Sequence, residues 1–117
     1  CPYPCKIDAY GLKDRMNMVF PIESDEFCRM LIYNPKVHNL LEHLPSLMDI
    51  GINILRIEGR KEDEYWVKKV VRIYREEIER CWEAGSSYQP AERNMAELKE
   101  LSPGGFTKGH LFRGVLE

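Results

Sequence analysis

The sequence is short of the patterns that would name a reaction. It has no Cys-x-x-Cys and no His-x-x-x-His pair, so the usual local spacing of a zinc site is missing. It has no Gly-x-Ser-x-Gly elbow and no glycine loop that could cradle a phosphate. No apolar run approaches the roughly 20 residues that cross a bilayer, and no signal-peptide pattern is present. This predicts no membrane partner and a cytoplasmic location. Charge of one sign is lacking too. Seventeen basic and 19 acidic residues leave a formal net charge of −2. That speaks against a broad nucleic-acid-binding face, while leaving room for a local basic site. There is no internal repeat and no low-complexity segment.

A chain of 117 residues holds one small domain at most. It is well short of a complete (β/α)8 barrel. Hydrophobic content of 44% with 31% charged residues fits a globular chain. The first residue is Cys1 rather than Met, and the last two, Leu116-Glu117, read as a vector scar. Residues 1–117 are therefore expected to be a single excised fragment of a larger protein.

Three parts are expected along it. Residues 1–24 hold a proline-stiffened loop, Cys1-Pro2-Tyr3-Pro4-Cys5, and a weakly alternating stretch that predicts a hairpin turning at Lys13-Asp14-Arg15. Residues 25–85 read as a βαβα unit with a right-handed crossover. Its strands are 28–33 and 52–57, and its helices are 35–50 and 62–83. Asn34-Pro35 looks like the start of the first helix, and Pro45 should break it near His43 or begin a second short one. Gly51 should cap its end. The run Ile52, Ile54, Leu55, Ile57 has the near-continuous apolarity of a parallel strand covered on both faces. In the helix 62–83, Val67, Val70, Val71, Tyr74, Ile78 and Cys81 share one face. Asp63 is the candidate N-cap and Gly85 the candidate C′ residue. Glu76, Glu77 and Glu79 with Arg72, Arg75 and Arg80 read as a solvated face. Residues 86–117 give a short helix, 90–101, with Met95, Leu98 and Leu101 at helical spacing, and then an irregular tail.

Few residues could carry chemistry. Glu58 and Arg60 follow directly on the 52–57 run. The carboxyl end of a parallel strand is where α/β proteins place ligand groups. A carboxylate beside a guanidinium can bind or activate a polar ligand. The alternative is a local ion pair among Arg56, Glu58, Arg60 and Lys61, and the sequence leaves both open. Cys1-x-x-x-Cys5 has the close spacing of thiolate ligands to a metal or cluster. Free thiols and, less readily, disulfides are the other readings. Pro2 and Pro4 hold the residues before them extended, which argues against a Cys1–Cys5 bridge. Cys81 should be a small core residue. Cys28 is ambiguous. His38 and His43 are five residues apart on a broken helix and do not suit one metal ion, and His110 stands alone.

A resemblance joins these residues. Lys13-Asp14-Arg15-Met16-Asn17-Met18-Val19-Phe20-Pro21-Ile22, Phe27-Cys28-Arg29-Met30 and Leu55-Arg56-Ile57-Glu58-Gly59-Arg60 resemble peptidase family U32, the collagenase-like proteases. So do Tyr65, Val70-Val71 and Tyr74-Arg75-Glu76. The loop Cys1–Cys5 resembles that family's paired-cysteine segment. The tail Phe106–Phe112 resembles its Phe-Thr-Thr-Gly-Phe-Tyr-Phe ending, with Lys108 and His110 standing where the family has Thr and Phe. The family's signature segment, with further cysteines, lies upstream and is absent. The resemblance implies an α/β fold, a βαβα segment from the late part of a TIM-type barrel. It implies either a peptidase or an iron–sulfur enzyme that hydroxylates RNA bases or ubiquinone precursors, or else a non-catalytic scaffold segment. In the cluster reading Cys1 and Cys5 are metal ligands of the parent protein, and none is expected bound to this piece alone. The substrate, peptide or RNA, would be met by the full-length protein. A piece cut from a barrel exposes strand edges and should self-associate.

Overall fold

In the computed structural model, residues 8–109 and 111 are described. The chain divides after Val37 into two units. The first is a three-stranded antiparallel meander, β1 (Tyr10–Lys13), β2 (Val19–Ser24) and β3 (Met30–Ile32), in the order β1-β2-β3. The expected hairpin is there, with Leu12 opposite Phe20 and Tyr10 opposite Ile22.

Its two turns are built alike. Asp14 Oδ1 accepts from the N–H groups of Met16 (2.8 Å) and Met18 (2.9 Å). Asp25 Oδ1 accepts from those of Phe27 and Arg29, both at 2.9 Å. In each, the residue three places after the Asp is left-handed: Asn17 at φ 63° and Cys28 at φ 58°. This is a type I turn closed by a left-handed residue, a common hairpin connection. The second turn corrects the expected βαβα order. Asp25 sends the chain straight back along β2, with Ile32 opposite Ile22. The strand around 28–33 is thus the end of a meander, not the first strand of a crossover. None of residues 8–37 is buried.

The second unit holds the core. It opens in the two-residue strand β4 (Val37–His38), paired with β5 (Phe106–Thr107), so part of the tail expected to be irregular is ordered as a strand. The predicted helix 35–50 is replaced by a 3-10 turn, Leu41–His43, and a six-residue helix, α1 (Leu44–Asp49). Pro45 is the reason. Its ring lacks an N–H and clashes with the carbonyl four residues back, so a helix can begin at it but not run through it. Asn34 is not a helix cap: its Oδ1 accepts from Lys36 N at 3.2 Å in a local turn. Gly51 does close α1, its N–H bonded to the Met48 carbonyl.

The long helix α2 runs Glu64–Ala84. Asp63 caps it as expected, its Oδ1 accepting from Trp66 N at 2.7 Å. It stops at Gly85, whose φ of 57° suits a residue without a Cβ. The buried stripe is Trp66, Val70, Ile73, Glu77 and Cys81, turned from the predicted one. Val70 and Cys81 belong to both, whereas Val71 is exposed. α3 (Glu92–Glu100) is tied back to α2 by Asn94 and Glu97 and buries Leu98. Leu41, Leu44 and Leu47 complete the core with Tyr88. No described helix is long and apolar enough to cross a membrane.

The predicted strand 52–57 is not a strand in this structure. Ile54, expected to be buried, is 84% exposed. A strand needs a neighbour to accept its ladder of hydrogen bonds, and among the described residues no strand pairs with this segment. Its apolar side chains are used only in part. Ile52 and Leu55 line a small cleft of about 90 Å³ with Leu44, Leu47 and Ile78.

Candidate functional site

Residues 56–60 form a charged loop that leads into α2. The Gly59 carbonyl accepts from Glu62 N at 3.1 Å, a tight turn just before the Asp63 cap. A Cβ on Gly59 would lie 3.0 Å from Val67 Cγ2 and 3.4 Å from the Trp66 ring, so the loop is seated on the first turn of the helix.

Above that seat, Glu58 takes both arginines. Arg60 Nε donates to Oε1 at 2.6 Å, and Arg56 Nη2 donates to Oε2 at 2.9 Å. The hydrogen bond from Arg60 is the main cause that holds the Glu58 carboxyl below its ordinary range, with the charges of Arg60 and Arg56 adding to it. The same bond pushes the Arg60 guanidinium up. Glu58 is thereby kept ionised at neutral pH. It can accept a hydrogen bond or a proton, but it is not an acid held in its protonated form. The arginine side chains are 79% and 83% exposed, so most of their N–H groups face solvent. The loop brings together Glu58 and Arg60, the two residues predicted to act, with Arg56 as a third member. The ion pair given as the alternative reading is present in the same geometry.

A second charged cluster was not anticipated. Glu77 is 0% exposed, which corrects its placement on a solvated face. Its carboxylate accepts from Asn94 Nδ2 (2.6 Å), Tyr88 Oη (2.8 Å) and Ala91 N (3.2 Å), with Arg80 Nε at 3.5 Å. Burial by itself would raise its pKa. The bonds from Asn94, Tyr88 and Ala91, with the charge of Arg80, more than offset that and hold it low. Burial and the bond to Glu77 push the Tyr88 hydroxyl up. Beside it, Arg72 bridges Glu76 and Glu97, and Lys69 Nζ meets Glu97 Oε1 at 2.5 Å. Arg93 Nη2 reaches Glu76 at 2.9 Å. Of the predicted solvated face, the Arg75–Glu79 pair stays on the surface. The cluster ties α2 to residues 88–97, with the Glu77 carboxylate at its buried centre. It is a clamp rather than a site. Its sequence signal was the Glu at the 66-70-73-77-81 spacing, which broke an otherwise apolar stripe.

The remaining candidates are scattered. Cys81 is buried, as predicted, and burial raises its thiol pKa. Cys28 is exposed at a turn. Cys1, Cys5 and His110 lie outside the described residues. His38 sits in β4 and His43 at the end of the 3-10 turn. Among the described residues, no group of three or more His, Cys, Asp or Glu side chains could hold a metal ion.

Comparison with known proteins gives these residues a setting. The sequence profile of peptidase family U32 matches residues 1–115. An uncharacterized protease of Methanocaldococcus jannaschii is 31% identical over 84 residues, covering 72% of this chain and 20% of that protein. The tRNA hydroxylation protein P of Haemophilus influenzae is 31% identical over 80 residues, covering 68% of this chain and 17% of that protein. The protein of the same name from Escherichia coli is 29% identical over 83 residues, covering 70% and 17%. No solved structure matches significantly. The chain spans a fifth or less of the length of these relatives. With the family profile matched almost from end to end, the chain belongs to peptidase family U32.

Proposed function

We propose that this chain is a late segment of the TIM-type barrel of a cytoplasmic U32 enzyme that hydroxylates RNA bases, with residues 52–57 and α2 as one strand–helix unit of that barrel. In the whole protein, residues 52–57 take a place as a parallel strand. Two features support this: the exposed Ile54, and a helix, α2, that already follows the segment as a barrel helix follows its strand. Glu58 and Arg60 then stand at the carboxyl end of that strand, at the mouth of the barrel.

The observation that carries the substrate class is the Arg56–Glu58–Arg60 triple. Two guanidinium groups share one carboxylate and keep donors free for an anion. Arginine forks suit phosphate oxygens, and phosphate contacts position a nucleic acid without reading its bases. Arg60 is the anion-binding fork, and Glu58 orients it or accepts a proton. The names of the relatives from Haemophilus influenzae and Escherichia coli favour tRNA as the substrate.

The paired cysteines suit an iron–sulfur cluster, which would supply one-electron redox chemistry when bound. The ligands we propose are Cys1 and Cys5, with further thiolates from elsewhere in the whole protein. Cys81 is enclosed in the core and is not one of them. The isolated segment is expected to carry no cluster and to self-associate through its exposed apolar residues.

The test uses the full-length protein. Anaerobically purified enzyme should contain iron and sulfide and absorb in the visible, and Cys1→Ser with Cys5→Ser should lose both signals. Hydroxylated tRNA nucleosides should vanish when the gene is deleted and return only with the unaltered gene. The second reading is a peptidase, favoured by the family's description and by the name of the Methanocaldococcus jannaschii relative. Peptide hydrolysis by metal-free enzyme, with tRNA nucleosides unaffected, would establish that reading instead.

A further inference from the structure

We draw no further inference here: the strongest candidate, the apolar face that the three-stranded sheet presents through Tyr10, Leu12, Phe20, Ile22, Met30 and Ile32, carries nothing, because no feature of the structure shows what covers it.

Discussion

Glu77 and Glu58 are both glutamates held ionised by several donors, yet one is fully buried and the other half exposed. Glu77 is enclosed, and its partners are an amide, a hydroxyl and a backbone N–H, with one guanidinium at the margin. Glu58 is open, and its partners are two guanidinium groups that keep spare donors. Burial decides what each arrangement can do. Where water is excluded, every donor is committed and the group holds helices together. Where water remains, the pair contributes little to stability and can exchange partners with a ligand. The same chemistry therefore gives a clamp at one place and a candidate binding group at the other.

The largest effect should come from breaking the clamp. Glu77→Ala leaves the Tyr88 hydroxyl enclosed without its acceptor and removes those of the Ala91 N–H and of one bond from Asn94 Nδ2, which keeps only its bond to Glu76. The loss of a buried, hydrogen-bonded charge costs about 3–5 kcal/mol, read as a large fall in melting temperature. A loss below about 1 kcal/mol would show that the cluster is solvated after all.

The clamp also fixes a direction with pH. The folded Glu77 carboxyl lies below its unfolded value, so the folded state binds fewer protons. Its contribution is full above the ordinary glutamate value of about 4.3 and falls away as the pH drops through that value towards the lower folded one. Melting temperature measured from neutral to acid pH should fall there, and the fall should shrink in Glu77→Gln.

A smaller effect is expected where the tail meets β4. Gly109 has φ 60°, and a Cβ there would lie 2.4 Å from His38 Nε2. Gly109→Ala should cost about 1–3 kcal/mol through left-handed strain and overpacking. His38→Ala in the same chain should return the packing share, and a double-mutant cycle measures that coupling. Simple additivity would mean that the ring moves aside freely.

Ile54→Asp should have almost no effect on this chain, within about 0.5 kcal/mol, because the side chain is already in water. In the full-length protein the same change should cost several kcal/mol if 52–57 becomes a covered strand. Equal melting shifts in the two proteins would remove the barrel placement.

What the sequence disclosed and what it hid differ for physical reasons. The ends of α2 were legible because Asp63 and Gly85 act locally, through one side-chain acceptor and one backbone conformation. The break at Pro45 was legible for the same reason. The turn at Asp25 was missed because it lacks a charged run like the Lys13-Asp14-Arg15 that marked its twin, and its left-handed position holds Cys28 rather than an Asn. Glu77 was hidden because its donors, Tyr88, Ala91 and Asn94, are 11–17 residues away in the chain. The 52–57 run is apolar enough for a strand, but a strand also requires a neighbour, and the sequence of one strand does not supply it. At the candidate site, the contacts of Glu58 with Arg60 and Arg56 were legible from two-residue spacing, whereas the sharing of one carboxylate by both arginines emerged only from the geometry.

The claim that the Glu58 loop is there for a ligand and the Glu77 cluster for the fold is tested most directly at Arg60. Arg60→Lys keeps the charge and loses the planar fork. Melting temperature is measured in this chain, and activity and tRNA affinity are measured in the full-length enzyme. The account predicts almost no melting shift, with activity lowered at least about tenfold. Unchanged activity together with a lowered melting temperature would contradict it, and would leave Glu58-Gly59-Arg60 as scaffold.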